Sequence, residues 1–386
     1  MAFFRNAVVN LLNLHYGIHA LAQYGGGAFF GVFLLKAGVP APAVLAALAL
    51  LLAGRFCVRP LILPAGRRWG IKPLLIAGTL LSGAQYLIIG RVHGLDVALL
   101  ELCAVGALSD AVYWTSYHAY FAALGDAEHR GHQIGAREAL VAVVGIAAPL
   151  LTGWALAAFG PAIAFGATAA ALVLSAIPLL FAPNAPVIDR APGALRAARG
   201  GMAMFFADGW ISAGLTLVWP IALFQTLSQS FTAFGGAMAL AAVAGAVSSL
   251  VLGRVIDQGG GPRAAWLAAS AMALVLILRA SSFGHPVLAV AANAAGALVP
   301  AFYVPTLMTA MYNQAKGSPC PLRFHIAAEG GWDAGAASGC LAAAALLWAG
   351  APIGLAILLA LAGTVGALGL LRSYYGRLTF ELLSTP

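Results

Sequence analysis

From Ala7 to Leu35 the chain runs for nearly thirty residues without an Asp, Glu, Lys or Arg. A helix needs about 20 apolar residues to cross a bilayer, so this run is long enough by itself. Similar runs recur to the end of the 386 residues, leaving no stretch for a soluble domain of ordinary size. Composition agrees: 62% of residues are hydrophobic, only 8% are charged and the mean hydropathy is +0.93, whereas soluble domains carry roughly 25% charged residues. The first run lacks a small-residue cleavage pattern, which argues for a first transmembrane helix over a removed signal peptide.

Breaking the sequence at its charged and Pro/Gly clusters predicts spans near 8–35, 42–64, 73–90, 96–124, 133–158, 161–182, 201–226, 231–256, 264–282, 286–314, 323–349 and 351–374. Residues 182–200 (APNAPVIDRAPGALRAARG) hold three prolines and three arginines. They mark a polar linker, 183–200, between a six-helix bundle at 1–182 and another at 201–386. The expected fold is therefore all-α and integral to the membrane, with twelve transmembrane helices in two six-helix pseudo-repeat bundles.

The formal charge of +8 comes from 20 Lys and Arg against 12 Asp and Glu. In a polytopic protein such an excess collects in cytoplasmic loops, so it does not argue for nucleic acid as a partner. All the basic residues except Lys36, Arg91 and Arg279 fall at one predicted membrane side. That asymmetry predicts a cell (inner) membrane location, with both termini and the linker cytoplasmic. Cys57, Cys103, Cys320 and Cys340 show no CxxC or Cys/His metal spacing and read as small apolar core residues. A faint internal repeat supports the two halves: Arg130-Gly-His132 with Glu138 opens the fifth span, and Arg323-Phe-His325 with Glu329 opens the eleventh. Two parallel six-helix repeats describe a transporter architecture in which substrate binds near the midplane.

The loop after the eighth span, Gly253-Arg-Val-Ile-Asp257-Gln-Gly-Gly260-Gly-Pro-Arg263, resembles the G-x-x-x-D-R-x-G-R signature of the major facilitator superfamily. Gly253, Asp257 and Gly260 are in register; Gln258 replaces the first arginine, and the second is displaced to Arg263. The equivalent loop of the first half keeps Gly70 but has Arg67 where the family usually has Asp. In the fifth span, Gly145-Ile-Ala-Ala-Pro149-Leu-Leu-Thr-Gly153 is similar to the G-x-x-x-G-P-x-x-G-G pattern of family antiporters, with Ala148 and Thr152 in place of two glycines. A Gly/Ala/Pro face that merely allows close packing reads equally well. The resemblance implies a transporter that binds a small molecule between two rocking halves, with the first, fourth, seventh and tenth spans lining the cavity.

Ionisable groups inside a span cost about 2.5–3.5 kcal/mol or more, so each needs a partner, a wet cavity or a function. His15, His19 and Gln23 stand at i, i+4 and i+8 of the first span and share a helical face. The two histidines read as cavity lining, as metal ligands together with His118, or as buried imidazoles bonded to neighbouring helices. In the fourth span Asp110 lies about midway and is followed by Tyr113, Trp114, Tyr117 and His118. An aspartate there can exchange a proton, and the aromatic side chains offer an organic ligand a stacking surface. Asp208 in the seventh span and Tyr303 between Pro300 and Pro305 in the tenth extend the candidate substrate site. Glu329 and Asp333 are one turn apart in the eleventh span, where two carboxylates cannot both ionise cheaply; with Asp110 and Asp208 they form the proton-coupling set. Arg137, Glu138, Gly253, Asp257, Gly260, Arg263 and Arg323 are expected to serve gating. Asp96 and Glu101 lie near the outer surface and are expected to be solvated, and Asp126 and Glu128 fall in a loop.

These readings predict a proton-coupled secondary transporter, an exporter of a small amphipathic or cationic organic compound, acting as a monomer without a cofactor. The alternative is a carrier of a divalent transition metal or its chelate, held by His15, His19 and Asp110. No G-x-x-x-x-G-K-[ST] loop supports ATP-driven pumping, and no G-x-S-x-G or H-E-x-x-H pattern supports an enzyme.

Overall fold

The computed structural model describes residues 7–124, 130–187, 190–256 and 261–384, and its backbone there is helical apart from short turns and the non-helical residues 181–187 and 190–193. Among the described residues the helices form twelve long segments, with a four-residue helix at Ala194–Ala197 between the sixth and seventh. The first, α1, runs through Ala7–Lys36 and includes a π-helical turn at Gln23–Gly27. Ala41–Trp69 is α2, Ile71–Ile89 is α3 and Val97–Leu124 is α4. Arg130–Ala158 is α5 and Gly160–Leu180 is α6. The second half opens with α7, Arg199–Thr226, whose own π-helical turn lies at Ala213–Val218. Phe231–Ile256 is α8 and Gly261–Ser281 is α9. The tenth segment, α10, is split into Pro286–Gly296 and Val299–Lys316. Pro321–Trp348 is α11, and α12 comprises Ile353–Leu358 and Ala360–Ser384. Among the described residues ten helices are long and apolar enough to cross a membrane.

Proline placement explains several starts. Pro42, Pro161, Pro286, Pro300 and Pro321 occupy the first two positions of their helices, where a missing N–H costs nothing. The tenth span, which carries Pro300 and Pro305, is interrupted. It breaks at Ala297–Leu298, ahead of Pro300, and Pro305 lies inside the second piece. The twelfth span, expected to end near 374, continues to Ser384.

Two compact units emerge. One comprises Met1–Pro40, Leu50–Ala191 and Gln229–Ala239; the other comprises Ala41–Ala49, Pro192–Ser228 and Leu240–Pro386. Division at the linker alone does not reproduce them, because the first residues of α2 and of α8 group with the opposite unit.

In the first unit α3 packs along α4 so closely that a Cβ on Gly78 would fall 2.6 Å from the Tyr113 amide nitrogen. The α2–α3 turn is a single residue, Gly70, at φ 83°, a conformation that side-chain-bearing residues rarely adopt. Residues after α6 fasten to this turn: Ile71 N–H donates to the Ala185 carbonyl at 3.0 Å and Asn184 Nδ2 to the Trp69 carbonyl at 2.9 Å. Lys72 Nζ donates to the carbonyls of Ala182 at 2.8 Å and Leu180 at 3.2 Å. The α5 glycine pattern also packs backbone to backbone. A Cβ on Gly153 would meet the Phe231 carbonyl at 2.5 Å, and one on Gly235 would strike the carbonyl of Pro149.

In the second unit α7 lies along α11. Gly209 faces the Trp332 carbonyl, while Gly331 and Gly335 face the carbonyls of Met202 and Phe206, and no Cβ fits at any of the three. Small residues give helices this close approach where apolar solvent supplies no hydrophobic drive.

Candidate substrate and coupling site

The α4 helix sets its side chains on two faces. Ser109, Tyr113, Ser116 and Tyr117 are buried, whereas Asp110, Trp114 and His118 form a partly exposed stripe one turn apart. Asp110 pairs with Arg55 of α2 through a single 3.4 Å contact, Arg55 NH1 to Asp110 Oδ2. The arginine side chain is 9% exposed and the carboxylate 29%. One turn on, Arg59 is buried and donates from NH1 to Thr115 Oγ1 at 2.9 Å. Ser109 donates to Gln85 Oε1 at 3.0 Å from the buried side of the same helix. Trp114 stacks on His118 with ring centroids 5.8 Å apart.

The histidines of α1 sit behind this stripe. His15 is fully buried: its Nδ1–H donates to the Ser175 carbonyl of α6 at 2.7 Å. That donation leaves Nε2 to accept from the Tyr113 hydroxyl at 3.2 Å. His19 is 6% exposed and lies flat on the Tyr113 ring, centroids 4.0 Å apart and planes 9° from parallel. Tyr16 stacks on Tyr117 at 4.9 Å. Gln23, by contrast, is exposed at the start of the π-helical turn. The stripe expected from the i, i+4, i+8 spacing thus points into the packed bundle at His15 and His19 and leaves it at Gln23. Asp110 is held by Arg55 and not by a histidine. Among the described residues no three His, Cys, Asp or Glu side chains come together as a metal site, and His15 has both ring nitrogens engaged.

In the second unit Asp208 of α7 accepts a 3.0 Å bond from the indole N–H of Trp332 on α11. The glycine contacts of Gly209, Gly331 and Gly335 hold these two helices at that distance. Tyr303 of α10 is 8% exposed and neighbours Asp208, although its hydroxyl reaches no hydrogen-bond geometry. A 10 Å³ void beside Tyr303, lined also by Met272, Thr364 and Leu371, has room for about one water and none for an organic solute. Asp333 is fully buried and Glu329 half-buried on α11, with Arg323 half-buried near its start. Arg263 lies in the first turn of α9 and is exposed. Asp257 and Gly260, together with Asp126 and Glu128, lie outside the described residues, as do the side chains of Arg137 and Glu138 and the surroundings of Gly253.

Two groups escaped the sequence reading. Arg55 and Arg59, which the charge asymmetry places at the cytoplasmic side, are both buried, and their one-turn spacing within an apolar run is the sequence signal of it. Arg279, assigned to the opposite surface, is only 7% exposed; its NH1 donates to the Leu215 carbonyl at 3.0 Å.

Superposition on solved structures decides the fold. An auto-inhibited peptide transporter of the POT family matches with a TM-score of 0.68 at 12% identity, covering 96% of each chain. The nucleoside transporter NupG matches with a TM-score of 0.70 at 12% identity, covering 95% of this chain and 99% of that one. The chain has the major facilitator fold. No family model and no curated protein matches its sequence. At 12% identity the likeness concerns the backbone alone.

Proposed function

We propose that this chain is a proton-coupled secondary transporter that moves a small amphipathic organic solute across a cell membrane by alternating access, as a monomer with both termini in the cytoplasm. The Arg55–Asp110 pair carries the reading. Two opposite charges about midway along α2 and α4 are expensive to hold in a bilayer and mark a pathway or a relay by default. The fold supports it, since the peptide and nucleoside transporters that share it move small organic solutes by name. Asp208 beneath Trp332 supplies a second intramembrane carboxylate. A fold alone hosts many functions, so the polar groups inside the helices and not the likeness set the chemistry. A metal carrier is disfavoured because Asp110 already faces a guanidinium. An importer and an exporter share this site chemistry, and the direction is read from the experiment.

That experiment is uptake and efflux of a solute library in proteoliposomes with an imposed pH gradient. At least one organic solute is expected to accumulate against its gradient, and Asp110→Asn is expected to abolish accumulation while keeping counterflow exchange. A library in which nothing responds to the pH gradient, or an Asp110→Asn protein that concentrates solute like the wild type, would refute the reading.

A further inference from the structure

The Arg55–Asp110 pair is engaged through one contact of 3.4 Å. Charge-assisted N–H···O bonds run nearer 2.7–2.9 Å, and arginine and carboxylate often meet through two of them. The pair is loose, and its carboxylate is the more accessible partner, 29% exposed against 9%. Trp114 and His118 continue the same partly exposed stripe, so a planar organic group reaching Asp110 would pass over an indole face. Among the described residues, the charged and titratable groups that act on Asp110 include Arg55 and Arg59 from α2 and Tyr86 from α3. Arg59 is tied to Thr115.

Charge conservation then separates the possible cargoes. A cation binding at Asp110 with Arg55 still in place raises the charge of a low-dielectric site by one, which is costly. An anion that arrives with a proton leaves that charge unchanged: the proton bonds to a carboxylate oxygen of Asp110, and the anion takes over the guanidinium. We propose that Arg55 and Asp110 form a proton-for-anion exchange site, in which the carboxylate of an organic acid replaces Asp110 on Arg55. The inference rests on the transporter reading above and gives it a substrate class. Cargo of this class moves with one proton and carries no net charge across the membrane.

Three planar isosteres of different charge test it: benzoate, benzamide and benzamidinium, titrated against the purified full chain in nanodiscs by tryptophan fluorescence. Benzoate is expected to bind best, and about tenfold more tightly for each unit by which pH is lowered between 8 and 6, as one linked proton requires. Asp110→Asn, which resembles the protonated carboxyl, is expected to bind benzoate with no pH dependence. Arg55→Gln should lose binding. Arg55→Lys keeps the charge without the fork; it should bind about tenfold more weakly than wild type and serves if Arg55→Gln does not fold. Benzamidinium binding as tightly as benzoate, no benzoate binding, or unchanged binding in Arg55→Lys overturns the proposal. In the proteoliposome screen, gradient-driven transport of cations alone would sink this inference and leave the transporter reading intact, whereas no gradient-driven transport would sink both.

Discussion

The guanidinium of Arg279 lies over the indole ring of Trp219, 4.9 Å from its centroid. The same guanidinium donates to the Leu215 carbonyl inside the π-helical turn of α7, and Trp219 in turn donates to Asn293 Oδ1 at 2.9 Å. A Cβ on Gly296 would collide with that guanidinium, so the first piece of α10 closes the group in. Arg279 therefore fastens the α7 irregularity to α9 and α10. Arg279→Ala should lower stability by about 2 kcal/mol, from one charge-assisted hydrogen bond and a desolvated cation–π contact. Amide exchange near Leu215 should speed up selectively, and unaltered exchange there would show that the turn holds without the arginine.

Gly209 and Gly335 admit no side chain between α7 and α11. Gly335→Val should push the helices apart, break the Trp332–Asp208 bond and destabilise the protein by about 1–3 kcal/mol through overpacking. The thermal midpoint in detergent and the Trp332 fluorescence should change together.

For His15 the expected effect is on folding first. His15→Ala removes bonds to Ser175 and Tyr113, each contributing about 0.5–1.5 kcal/mol. Leu12→Ala, also fully buried, makes a matched control for lost volume. If His15→Ala is as stable as wild type, the two hydrogen bonds contribute nothing net.

Asp96 precedes α4 and accepts from the backbone N–H of His93 at 2.8 Å and of Leu99 at 2.9 Å. Those two backbone bonds hold its carboxyl below the usual 3.8. A depressed carboxylate stabilises the fold above its unfolded value and loses that contribution as pH falls through the folded one. The cap should accordingly be complete at neutral pH and fail only in acid, below the ordinary carboxylate range. Asp96→Ala should fray the start of α4 at pH 7, and the difference from wild type should vanish at low pH; a difference that persists there would assign the effect to something other than the carboxylate.

Hydropathy was sufficient for ten of the twelve helical segments among the described residues, because each must satisfy its own backbone in lipid. It could not separate α2 into a lipid-facing run and a charged face. Arg55 sits in an apolar stretch, and only the approach of α4 makes it the partner of Asp110. The shared face of His15 and His19 was legible from their spacing, but periodicity does not say what a face looks at. Tyr113 and Ser175 come from helices about 100 and 160 residues away. The α7–α11 glycines were visible individually, yet their pairing with Met202, Phe206 and Trp332 needs the third dimension. Neither π-helical turn has a sequence signature: one is Gly-rich, and the other is not.

Those two turns occupy matching places, after 16 residues of α1 and after 14 of α7. A π turn accommodates one residue more than the regular helix, and one residue is about 100° of rotation. Everything beyond the bulge is therefore dialled round relative to everything before it. In α7 this offset sets the azimuth of Trp219 against that of Asp208, so deleting a single residue between Ala213 and Val218 would regularise the helix and swing Trp219 a quarter-turn or more away from Arg279. The phase of each helix is thus carried by residue count in a short stretch, where an insertion or deletion acts as a rotation and a substitution does not.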